Sequence, residues 1–131
     1  MARIDVFYRS FTEEDLMNGF LKEKIEDIIN STDTELTPNL AGVIFSLGRD
    51  AENEEEYDYA FEKLTKLFKR DNEDVRAQVI QAFGIMAVLK KDIKPFDKDY
   101  VMPLIQEALK TASKENQGII MDAIDDINRS R

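Results

Sequence analysis

A chain of 131 residues with 43% apolar and 34% charged side chains is long enough to bury a core and too apolar to be disordered. Its net charge of −9 disfavours nucleic acid, whose phosphates are neutralised by Lys and Arg, and anionic membrane surfaces, and it favours a basic protein partner. With no Cys and no His, disulfides and thiolate chemistry are excluded, and the commonest general base and metal ligand at neutral pH are missing.

The segment 1–11 reads as a short arm, with Ile4, Val6 and Phe7 alternating in part. Met1–Ser10 has no hydrophobic signal core, and no apolar run approaches the ~20 residues needed to cross a bilayer, so a cytoplasmic location is expected. A first helix is predicted from Thr12, an N-cap followed by Glu13, Glu14 and Asp15. Leu16, Phe20, Leu21, Ile25, Ile28 and Ile29 form its apolar stripe, and residues 30–34 end it. Thr37-Pro38 opens the second helix, with Leu40, Val43, Ile44 and Leu47 inward and Gly48 expected as its C-cap. After a polar loop, the third runs from about 55 to 70, with Tyr57, Ala60, Phe61, Leu64, Leu67 and Phe68 inward.

The turn 71–74 caps a fourth helix, about 75 to 90, which is apolar on most sides and so expected at the buried centre. A loop through Pro95 leads to a fifth helix over 98–111. Residues 113–116 turn into a sixth, reaching about 128, with Ile119, Ile120, Ala123, Ile124 and Ile127 as its stripe. No strand pattern competes, and the fold class expected is all-α, a single domain over 1–131.

The helices repeat as pairs. Asp58-Tyr59, Leu64, Val75-Arg76, Val79 and Ala82-Phe83 align with Asp99-Tyr100, Ile105, Asn116-Gln117, Ile120 and Ala123-Ile124, each 41 positions apart. At an offset of 36, Ile25, Val43 and Leu47-Gly48 fall under Phe61, Val79 and Phe83-Gly84. Two-helix units of roughly 40 residues stack into arrays that present binding surfaces.

The run Asp71-Asn72-Glu73-Asp74-Val75-Arg76, followed by Ala82-Phe83-Gly84, resembles the HEAT-repeat family, in which an acidic turn, Val-Arg and a later Ala-Leu-Gly open the second helix. The resemblance spans 12–128 and is best in the middle unit. In the third, Gln117 replaces the Arg and Asp125 the Gly. It implies an α–α superhelix of about three HEAT-like hairpins, with Arg76 bridging to an acidic turn residue, Asp71, Asp74 or Asp33.

No phosphate loop, serine-hydrolase elbow or His/Cys cluster is present. Asp97-x-Asp99 begins like a calcium loop, but Met102 stands where that loop needs Gly, and the segment reads as a helix start. No enzyme activity and no cofactor are expected. Two acidic clusters remain as candidate partner-binding residues: Glu52, Glu54, Glu55, Glu56 and Asp58, with Tyr57 among them, and Asp122, Asp125 and Asp126, which share a helix face. Tyr57, Tyr59 and Tyr100 flank acidic helix starts and suit interface anchors; Tyr59 and Tyr100, at equivalent repeat positions, equally suit packing between units. A compact, acidic, catalytically empty helical chain also resembles the immunity proteins of bacterial polymorphic-toxin and contact-dependent inhibition systems. That resemblance implies neutralisation of a basic, nuclease-type toxin by carboxylates that mimic phosphate. A scaffold holding a peptide or subunit in its groove is the alternative.

Overall fold

The computed structural model describes residues 25–30 and 36–130. The arm 1–11, the Thr12 cap with the stripe residues Leu16, Phe20 and Leu21, and Asp33 lie outside the described residues. The fold is all-α. A helical stretch at 25–29 precedes α1 (Pro38–Arg49), α2 (Glu54–Phe68), α3 (Glu73–Leu89), α4 (Lys98–Thr111) and α5 (Lys114–Arg129), and no strand occurs among the described residues.

Each start follows from a cap. The Thr37 hydroxyl accepts from Leu40 N at 3.1 Å, with Pro38 at the first helical position. Asn53, Asn72, Asp97 and Ser113 do the same for α2 to α5. Asp97 is therefore a cap, as the sequence indicates.

The second helices of the pairs, α1, α3 and α5, form a row with α3 in the middle. α2 packs on α1 and α3, and α4 packs mainly on α5. The joints of the row repeat. A Cβ built on Gly48 would lie 2.9 Å from the Ala82 carbonyl oxygen and 3.0 Å from its Cβ, and one on Gly84 would lie 3.3 Å from the Cα and Cβ of Ala123. Gly48 and Gly84 are 36 positions apart, and Ala82 and Ala123 are 41, so the two offsets read from the sequence are one packing joint used twice.

This corrects the role expected of Gly48. It does not cap α1, which continues to Arg49 and ends at Asp50, and no glycine among the described residues has positive φ. It is glycine because α3 backbone approaches it. The joint also explains Asp125. Ala77, Ile80, Gly84 and Ala87 share one face of α3 and are all buried, whereas Gly118, Met121, Asp125 and Asn128, each 41 positions on, are all exposed. Glycine is needed where a helix stacks, and among the described residues the equivalent positions of α5 face solvent.

α3 is the centre of the core, with Val75, Val79, Ile80, Phe83 and Met86 at most 1% exposed. Its one open stripe is Asp74, Gln78, Gln81, Ile85 and Val88, at alternating steps of four and three. Arg76 departs from expectation for Asp71 and Asp74: its guanidinium donates to the Arg70 carbonyl at 2.8 Å, tying down the α2–α3 turn, and among the described residues it bridges to no acid.

Candidate functional site

The five acids at the start of α2 separate into different roles. The Asn53 side chain accepts from Glu56 N at 2.9 Å, and the Glu56 carboxylate accepts from Glu52 N at 2.8 Å. These two bonds close the turn into α2 and take Glu56 out of solvent, leaving it 4% exposed. Tyr57 is also buried, against the core, and its hydroxyl has no hydrogen-bond partner among the described residues. Burial, with the charges of Asp58 and Asp97, pushes its phenol up to about 12. Neither Glu56 nor Tyr57 can therefore meet a partner on this surface, which corrects two of the candidate assignments.

Glu52, Glu54, Glu55 and Asp58 remain exposed. Asp58 is matched by Lys94 at 2.6 Å, and that hydrogen bond raises the Lys94 ammonium above its ordinary value. On α5, Asp122 and Asp125 are exposed and make no ion pair among the described residues, while Asp126 pairs with Arg129 at 3.0 Å.

The two clusters do not merge. α2 and α5 do not pack on each other, and the loop 90–97 runs between them. Lys94 ties that loop to Asp58 on one side, and Lys91, Pro95 and Phe96 share a hollow with Ile127 and Ser130 at the end of α5 on the other. Among the described residues no group of three or more acids is arranged to hold a metal ion.

Polar joints that single residues do not announce lock neighbouring units. Glu73 accepts from Ser113 N at 2.6 Å and from the Asn116 amide at 2.8 Å, and Asn116 also reaches Asp74 at 2.9 Å. The Ser113 backbone bond, then Asn116, hold the Glu73 carboxyl below its ordinary value. Asn116 reads as a turn residue in the sequence; only its register under Val75 could have placed it in this joint.

The stretch 25–30 is tied to α2 in the same spirit. Glu26 accepts from the Tyr59 hydroxyl at 3.2 Å and pairs with Lys63 at 2.6 Å; Lys66 donates to Asn30 at 3.0 Å, and Arg70 to the Ile29 carbonyl. Burial alone would raise the Glu26 carboxyl, but Lys63, helped by Tyr59 and Lys66, outweighs it and holds it below the ordinary value.

Between α2 and α4 the surface instead opens into a groove. A hollow of about 500 Å³ lies among Phe61, Glu62, Thr65, Lys66, Lys69, Asp97 and Tyr100, and a second of about 260 Å³ lies among Phe68, Arg76, Leu104, Glu107, Ala108 and Thr111. Aromatic rings floor it: Phe61 stands 5.6 Å from Phe83, 6.0 Å from Phe96 and 6.4 Å from Tyr100. No family model, curated protein or solved structure matches the chain.

Proposed function

We propose that the chain is a non-catalytic protein-binding module, a HEAT-like α–α superhelix of about three hairpins that acts in the cytoplasm on a basic protein partner. In its most specific form it is an immunity protein that covers the cationic site of a nuclease-type toxin. The observation that carries this reading is the state of Asp122 and Asp125: both are exposed on α5 and neither has an ion pair among the described residues. Carboxylates left uncompensated in this way are free to steer and meet a cationic surface. The absence of His and Cys supports binding rather than turnover.

The test is association kinetics with a partner captured from the source cells or with a basic nuclease encoded beside the gene. Replacing Asp122 and Asp125 by Lys should slow association and flatten its salt dependence, because steering is screened over roughly 8–10 Å at ordinary ionic strength. Salt-independent binding by the unmodified protein refutes the electrostatic mechanism. The second reading, an adaptor holding a peptide or subunit, is favoured by the open groove between α2 and α4.

A further inference from the structure

Polar contacts close the joint between the stretch 25–30 and α2. The Tyr59 hydroxyl donates to Glu26 at 3.2 Å, Lys63 pairs with the same carboxylate at 2.6 Å, and Lys66 donates to Asn30 at 3.0 Å. The repeat offsets of 36 and 41 carry these positions to the next joint, between α2 and α4. Glu26 maps to Glu62, Tyr59 to Tyr100, Asn30 to Lys66 and Lys66 to Glu107. The second joint therefore has a tyrosine to donate to a glutamate, as the first does, and a pair of opposite charges where the first has Lys66 and Asn30. Neither contact is made among the described residues. Glu62 and Tyr100 line a hollow of about 500 Å³ with no hydrogen bond between them, Lys66 is held by Asn30, and Glu107 leans to Lys110 at 3.7 Å on its own helix.

We infer that the α2/α4 joint has a second, closed state, in which α4 rolls onto α2, Tyr100 donates to Glu62, and Lys66 leaves Asn30 for Glu107. The walls suit each other: Lys66 and Lys69 of α2 and Arg76 of α3 line the two hollows with Asp97 and Glu107, which stand at the start of α4 and within it. α4 is also lightly seated. Only Val101 and Ile105 are buried among its 14 residues, against six of 15 on α2. It is moored at its ends instead. Before it, Phe96 stands 6.0 Å from Phe61 and 5.8 Å from Phe83; after it, Ser113 N donates to Glu73 at 2.6 Å. A helix held at both ends and little in between can roll while its moorings persist. One substitution accounts for the open form. Leu104 stands where Lys63 stands, so these positions offer one cation, Lys66, to Glu62 and Glu107, whereas Lys63 and Lys66 both serve the first joint. Lys66 is the switch, because it bonds Asn30 in one state and Glu107 in the other. Closure is a property of the free chain and requires no partner.

The chain has no cysteine, so two can be placed for spin labels, Glu55→Cys on α2 and Gln106→Cys on α4, both at exposed positions. Double electron–electron resonance on the full chain should give two distances, the longer for the open joint and the shorter for the closed one. Leu104→Lys restores the cation and should shift their ratio about tenfold toward the shorter, the size of one charge-assisted contact. Glu107→Lys sets two cations against each other and should shift the ratio by a similar factor the other way. Adding Lys66→Glu to Glu107→Lys re-forms the pair with its charges exchanged and should bring the ratio back. Circular dichroism checks that each variant is helical.

Two distances whose ratio follows these variants support the closed state. A single distance in the otherwise unmodified protein overturns it, and so does a ratio that a folded variant leaves unmoved or that the exchanged pair fails to restore. If Leu104→Lys does not fold, Glu107→Lys and the exchanged pair, both at exposed positions, decide alone.

Discussion

The repeated glycine joint predicts a graded response to one substitution made at three places. Adding a methyl to a helical glycine gains up to about 1 kcal/mol of helix propensity in the interior and less near an end. Against this stands whatever the new Cβ meets. At Gly48 it meets Ala82 backbone at 2.9 Å, and a neighbouring helix must move by several tenths of an ångström. Overpacking of that kind costs about 1–3 kcal/mol. Gly48 is also the penultimate residue of α1, so little propensity is gained, and Gly48→Ala should destabilise by about 1–2 kcal/mol. At Gly84 the contacts are 3.3 Å, tight but above overlap, and the site is mid-helix, so the two effects should nearly cancel. At Gly118 nothing lies within 4 Å, and Gly118→Ala should stabilise by about 0.5–1 kcal/mol. Urea titrations followed by circular dichroism at 222 nm measure all three. If Gly48→Ala is as stable as Gly118→Ala, α1 and α3 do not approach at Gly48, and the repeated joint is refuted.

Phe83→Ala should cost about 3–5 kcal/mol, because the ring is 1% exposed and contacts Phe61 and Phe96; a loss below about 1 kcal/mol would remove it from the core. Glu56→Ala should cost about 1 kcal/mol by opening the α2 cap, while Glu55→Ala, fully in solvent, stays within about 0.5 kcal/mol; equal effects in the same urea titration would refute the capping role. Tyr57→Phe should be neutral or slightly stabilising, since it deletes a buried hydroxyl without a partner; a loss above about 1 kcal/mol in thermal melts would show that the hydroxyl is bonded. Acid should destabilise the protein through Glu26 and Glu73. Their folded pKa values lie below the ordinary 4.5, so the stability they contribute is fully present above that value and is lost as pH falls through the depressed folded values. Glu26→Gln should shrink that acid-side loss in melting temperatures taken across pH, and an unchanged profile would refute the linkage.

The helices and their order were legible because each carries a local signal that tertiary packing reinforces: Thr37-Pro38, the asparagine caps, and apolar positions at three- and four-residue steps. The repeat was legible for the same reason, since equivalent joints need equivalent residues. What misled was exposure within charged runs. Glu54, Glu55, Glu56 and Asp58 read as one solvated patch, yet a helix turns 100° per residue and points Glu56 inward. The signal was present in Asn53-x-x-Glu56, the spacing of a capping box, while Tyr57 is buried with Ala60 and Leu64 as the inner stripe of the sequence requires. Gly48 misled differently. A glycine ahead of a polar loop looks alike as a cap and as a contact, and only its recurrence as Gly84 in mid-helix distinguishes them.

The same comparison of equivalent positions separates structure from function across the candidate site. Where a residue has a counterpart in the next unit and both do one job, packing explains it: Gly48 with Gly84, Ala82 with Ala123. Where the counterpart is present but its partner is missing, packing leaves something over. Asp125 stands where Gly84 stacks, on a face of α5 that is exposed and where no glycine is required. Glu62 and Tyr100 stand where Glu26 and Tyr59 close a joint, but Leu104 replaces Lys63 and the hollow between α2 and α4 stays open, with Lys66 and Lys69 on its lining.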